Sequence, residues 1–269
     1  MRNRCSLLAA ALALGTASTA FASPGDIFRL SGAPEGDDDG DDDGDDADHD
    51  EGFFQLRLST QFGPEPGNPV SLSPDLRYTH GAFEVGLLHS SEAITGFSGI
   101  TSGSVCLAKC DELSSRYHGG MLQAGYTLYG KESITTLQAG AVASAVDPFD
   151  LGFKLGIEHL RLVPDLILLT AKPNIIIGES PAASRLNVPV SIGLLWFIQL
   201  ESGVSMPLDH ASDTWQLPVS IKFAYPIKDV FLDAAVTFPA LAGGDDVVTG
   251  GENIAVTFGL DFTMLLNRL

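Results

Sequence analysis

The chain has 269 residues, with 34 acidic against 15 basic side chains, a formal charge of −19, and 45% hydrophobic residues. Twelve of the acids lie between Glu35 and Glu51, so the remainder is only mildly acidic, and no basic cluster exists that would engage nucleic acid. Beyond the N-terminus no apolar run approaches the roughly 20 residues of a membrane-spanning helix: Arg161, Pro164 and Asp165 interrupt one stretch, and Pro189, Ser191 and Gly193 another.

The N-terminus reads as an export signal over residues 1–22. Arg2 and Arg4 precede a short apolar run from Leu7 to Leu14, and Ala20-Phe21-Ala22 meets the small-x-small cleavage rule, leaving Ser23 first. Residues 23–52 form a Gly/Asp-rich arm with too little apolar surface to order itself. Its carboxylates suit weak divalent-cation binding but lack the spacing of an EF-hand loop. The third region, 53–269, alternates apolar and polar residues with a period of two, the mark of strands with one greasy and one polar face.

About twelve strands are predicted there, in chain order 53–62, 71–79, 83–89, 120–129, 133–145, 151–157, 166–177, 187–195, 198–206, 215–225, 230–238 and 254–264. The last is the clearest: Ile254, Val256, Phe258, Leu260, Phe262 and Met264 alternate with Ala255, Thr257, Gly259, Asp261 and Thr263. The weakest is 166–177, where Pro173 is awkward inside a strand.

Connections alternate in length. Those at 63–70, 90–118, 146–150, 178–186, 207–214 and 239–252 are mostly long; those at 80–82, 130–132, 158–165, 196–197 and 226–229 are mostly short, with 146–150 and 158–165 the exceptions. Short turns at one end and long loops at the other, with an even strand number, are expected of an outer-membrane barrel and have no counterpart in a soluble sandwich. Tyr78, Tyr126, Tyr129, Phe197 and Tyr225 fall near the short turns, and Tyr117, Trp215 and Phe238 near the long loops, as two interfacial belts would require. Core packing in a soluble β-protein is the competing reading of the same aromatics.

Pro74-Asp75-Leu76-Arg77-Tyr78, the turn His80-Gly81-Ala82 and Phe83-Glu84-Val85-Gly86-Leu87 resemble a hairpin common in porin-like bacterial outer-membrane β-barrels. The ending Val256-Thr257-Phe258-Gly259-Leu260-Asp261-Phe262 is similar to theirs too. The resemblance covers about 53–269 and implies an all-β, transmembrane, antiparallel up-and-down barrel in lipid, with the acidic arm in the periplasm.

The face opposite the greasy one carries Arg57, Arg77, Glu84, Lys154, Glu201, Lys222, Asp233 and Asp261, with Gln55, Gln123, Gln138 and Gln199. In a barrel these line the lumen, either as a mutually paired filling or as a path for small polar solutes, with the long 90–118 loop as its gate. Cys106 and Cys110 fit a local disulfide of an exported protein; free thiols or a metal or redox site are the alternatives. His89, His118 and His210, with Ser90, Asp209 and Asp213, are the candidates for a hydrolytic site, but no nucleophile motif surrounds them. No cofactor motif is visible. The functional expectation is therefore a porin-like or solute-binding barrel, or a purely structural one, and not an enzyme. A secreted β-sandwich or lipocalin-like binder is the alternative, and an outer-membrane hydrolase a third.

Overall fold

The computed structural model describes residues 52–62, 70–100, 105–108, 119–130, 133–144, 150–163, 167–179, 184–194, 197–227, 230–247, 249–250 and 254–265. The signal, almost all of the arm, Cys110 and His118 lie outside them; of Cys106 only the backbone strand is described.

Strands β1 (Phe53–Phe62), β2 (Val70–His80), β3 (Phe83–Leu88), β4 (Val105–Ala108), β5 (Gly119–Tyr129), β6 (Ser133–Ser144) and β7 (Asp150–Val163) form the first half. The second half holds β8 (Ile167–Ala171), β9 (Asn174–Gly178), β10 (Arg185–Leu194), β11 (Ile198–Pro207), β12 (Gln216–Ile227), β13 (Val230–Gly243) and β14 (Ala255–Leu265). All pairings are antiparallel and follow chain order around the ring, except that β3 pairs with β5 past β4, β4 adds to β2, and β8 and β9 each pair with β7 and β10; β1 pairs with both β2 and β14, so the sheet closes. Among the described residues β8 and β9 share one place in the wall and β4 lies off the ring, leaving a closed barrel of twelve strands plus one.

Two expectations need correction. The segment 166–177 is not one strand: it breaks at Lys172-Pro173, because proline cannot donate to the ladder, and the two pieces separately join β7 to β10. The connection 158–165 is not a loop either. β7 continues to Val163, with His159 opposite Ala171 and Arg161 opposite Leu169, so the turn shrinks to 164–166. The five connections at the short-turn end, 81–82, 130–132, 164–166, 195–197 and 228–229, are then all two or three residues long.

The wall is greasy outside and polar inside. Along β7, Leu151, Phe153, Leu155 and Ile157 are exposed while Lys154 between them is buried. Phe83, Tyr126, Tyr129, Phe197 and Tyr225 are all exposed at the short-turn end. Phe83 and Tyr126 meet edge to face at 5.0 Å across β3 and β5, and Phe54 meets Tyr78 at 4.9 Å.

Closure has a measurable consequence. The ten residues of β1 pair with β14 from Phe53–Leu265 to Phe62–Val256, so no edge is left at which detergent can fray the sheet. Unboiled protein is expected to migrate faster than boiled protein on a mild detergent gel. Identical mobilities would contradict a closed barrel.

Candidate functional site

Residues 89–100, which follow β3, turn into the barrel. Ser90 caps a five-residue helix, α1 (Ser91–Thr95), by accepting the Ala93 N–H, and Gly96 ends it at φ 85°, a left-handed conformation that glycine adopts without a Cβ clash. From Leu88 to Ile100 the chain is almost wholly buried inside the ring.

Asp75 of β2 holds the root of this segment. Its carboxylate accepts the N–H groups of His89 (2.6 Å) and Ser90 (2.9 Å) and the Ser90 hydroxyl (2.5 Å). Further along, Lys154 donates to the Ala93 carbonyl at 2.6 Å and Asn174 to that of Thr95 at 2.9 Å, while the Ser98 N–H donates to Glu201 at 3.0 Å. Asn187 donates to Asn174, and Ser205 to Asn187, carrying the tie across β9, β10 and β11. At Gly203 a Cβ would lie 2.1 Å from the Val188 carbonyl oxygen of the neighbouring strand and 3.0 Å from the Phe97 ring, so glycine lets β11 close on β10 beside the inward segment.

α1 has two unlike faces. Ala93 and Ile94 form an apolar cluster with Leu88, Met121, Val142 and Ile176. Glu92 meets three cations: Lys222 at 3.0 Å, Arg57 at 3.1 Å and Lys172 at 3.5 Å. Each cation holds a wall carboxylate as well: Arg57 with Asp233 at 3.1 Å, Lys172 with Glu158 at 2.9 Å, and Lys222 with Glu201 at 2.7 Å. Buried charges persist only when paired, and this network gives each of the seven an oppositely charged partner.

Burial opposes ionisation of Glu92, but Lys222, Lys172 and Arg57 outweigh it and hold its carboxyl well below the usual carboxylate range. A carboxylate with a depressed native pKa stabilises the fold above its unfolded pKa and loses that contribution as pH falls through the native value. The melting-temperature gap between wild type and Glu92→Gln should therefore stay constant from pH 8 to about 5 and shrink only below about pH 4. A gap that closes near neutrality would contradict the network.

Of the residues predicted for the lumen, Glu84, Lys154, Glu201, Lys222, Asp233 and Asp261 are buried in the ring, and Arg57 and Arg77 are half-buried there. Arg57, Glu201, Lys222 and Asp233 converge on Glu92. Arg77 faces Glu84 at 4.0 Å, and Gln55 donates to Asp261 at 2.8 Å. Gln123 donates to Glu84 and Gln138 to Glu158. Sequence reasoning left out Glu92, Lys172, Glu158 and the anchoring role of Asp75. Ser90 and Gly96 bracket Glu92 as N-cap and C-cap residues would, and that is the local signal for α1.

The candidates for hydrolysis are dispersed. Ser90 and His89 belong to the Asp75 anchor, whereas His210 and Asp209 lie 3.4 Å apart on an exposed loop beside a second short helix, α2 (Ala211–Thr214).

No protein-family model matches the chain, and no curated protein matches it. Solved structures resemble it distantly. The outer-membrane protein Omp33 of Acinetobacter baumannii aligns at 7% identity and a TM-score of 0.42, over 80% of this chain and 99% of that one. A variant of the Rh. blastica porin aligns at 10% identity and 0.36, over 79% and 99%. CdiB of Acinetobacter baumannii aligns at 10% identity and 0.32, over 80% and 60%. The closed strand pairing, rather than these distant likenesses, defines the fold.

Proposed function

We propose that this chain is a bacterial outer-membrane barrel that passes small polar solutes through its lumen, with residues 89–100 as the constriction. The observation that carries the reading is the inverted wall. Exposed Leu151, Phe153, Leu155 and Ile157 flank buried Lys154, and Glu84, Glu201, Lys222, Asp233 and Asp261 are likewise buried on the inner face. In water, each fully exposed Leu or Phe forgoes about 1.5–3 kcal/mol of burial, and a continuous apolar belt promotes aggregation. In lipid the same belt is the stable surface. This arrangement disfavours a soluble sandwich or lipocalin-like binder, whose apolar residues would face inward.

Passage, rather than a purely structural role, draws support from unfilled space inside the ring. The Arg57 and Lys172 side chains keep 19% and 21% of their exposure although both point at Glu92. The short turns would face the periplasm, on the side where the acidic arm joins β1.

Purified protein in planar bilayers tests the reading. Discrete conductance steps, small for a twelve-strand ring because α1 crosses it, are the expected result. A heat-modifiable, correctly inserted protein that never conducts in concentrated salt would leave the structural role instead.

A further inference from the structure

The geometry points to a monocarboxylate-binding site inside the lumen, formed by Arg57, Lys172 and Lys222 and filled in this structure by the chain's own Glu92. The inference rests on the reading of the barrel as a solute path and names the solute class.

Three cations from three separated parts of the wall come within 3.5 Å of one carboxylate. They lie on β1, at the β8–β9 break and on β12. The break itself serves the site: with the ladder interrupted at Pro173, Lys172 stands between two strand pieces and its ammonium meets both Glu92 and Glu158.

What makes Glu92 replaceable is how the rest of the network is paired. Arg57, Lys172 and Lys222 each keep a wall carboxylate, in Asp233, Glu158 and Glu201. Taking Glu92 away leaves three matched pairs rather than three bare cations, so the wall survives the exchange. The same matching sets the ligand's charge. The six groups of these three pairs sum to zero, which leaves one negative charge to be added in the place Glu92 holds. A dianion would meet the repulsion of three nearby carboxylates.

Access is one-sided. Lys222 is sealed, its side chain 5% exposed, whereas the Arg57 and Lys172 side chains keep 19% and 21% of their surface open to the lumen space. An entering carboxylate therefore meets Arg57 and Lys172 first and displaces Glu92 by a side-chain rotation. The root of α1 stays fixed by Asp75, and its apolar face stays packed by Ile94. In the wild type the site is occupied by the chain's own carboxylate, and a solute carboxylate substitutes for it.

The test is chemical rescue on the full chain in detergent, with sodium acetate as the probe and sodium chloride and inorganic phosphate as controls at equal ionic strength. Glu92→Ala is expected to melt below wild type and to recover in acetate but not in chloride. Calorimetry should show acetate binding at least about tenfold tighter to Glu92→Ala than to wild type, because the tethered competitor is gone. Adding Lys222→Met should remove that gain. Glu92→Gln, which fills the space without the charge, is the second variant. If neither variant folds, refolding in acetate supports the site and failure to refold in acetate overturns it. Equal acetate effects on wild type and variants, or phosphate binding as tightly as acetate, also overturn it. Bilayer current is read separately: acetate binding without conductance removes the channel reading and leaves the site, and conductance without rescue does the reverse.

Discussion

Leu155→Arg is expected to block barrel assembly, while Leu151→Arg, on the same face of the same strand, is expected to be tolerated. Both leucines are exposed on the outside of β7. Four residues separate them, about 13 Å along the strand, which moves the substitution from mid-wall to the long-loop rim. Arg at the bilayer midplane costs about 2–4 kcal/mol and near the interface about 0–1. Neither substitution removes a hydrogen bond of the ladder, so the contrast reports the surrounding solvent alone. Urea titration of folding into vesicles measures it. Equal effects, or a gain in stability at both sites, would mean that water rather than lipid surrounds the wall.

The second large effect is expected of Asp75→Ala. One carboxylate anchors two backbone N–H groups and the hydroxyl that caps α1. Its loss strands the His89 and Ser90 amides in a buried site, and each unsatisfied donor costs about 1–3 kcal/mol. The inward segment should then detach at its root, with a clear fall in melting temperature and a several-fold larger single-channel conductance. Asp75→Asn keeps an acceptor oxygen and should lie between the two proteins. A variant with normal melting and normal conductance would show that the wall, not Asp75, holds the segment in place.

The strands were legible in the sequence because a two-residue period is a local property: each wall residue chooses between lipid and lumen by itself. That rule placed Leu155 outside and Lys154 inside, and it set the bounds of β1 without error. It faltered where a local cue misled. The segment after Ile157, with Glu158, His159, Arg161 and then Pro164-Asp165, reads as a loop, yet β7 continues to Val163, because it closes a hairpin with β8, from Val163 opposite Ile167 to His159 opposite Ala171. Pro173 made 166–177 doubtful, but nothing local showed that the break would aim Lys172 into the lumen.

The centre of the molecule was decided by tertiary structure. Glu92 lies on a five-residue helix inside a long connection, with no alternation to assign it a face. Its partners Arg57, Lys172 and Lys222 stand 35, 80 and 130 positions further along or back in the chain, and only closure of the ring brings them together. Sequence by itself determined that a chain of this pattern has an apolar outer face and a charged inner one. The closed ring, and the burial that makes unpaired charge costly inside it, decided which charges meet and that the chain's own carboxylate would stand among them.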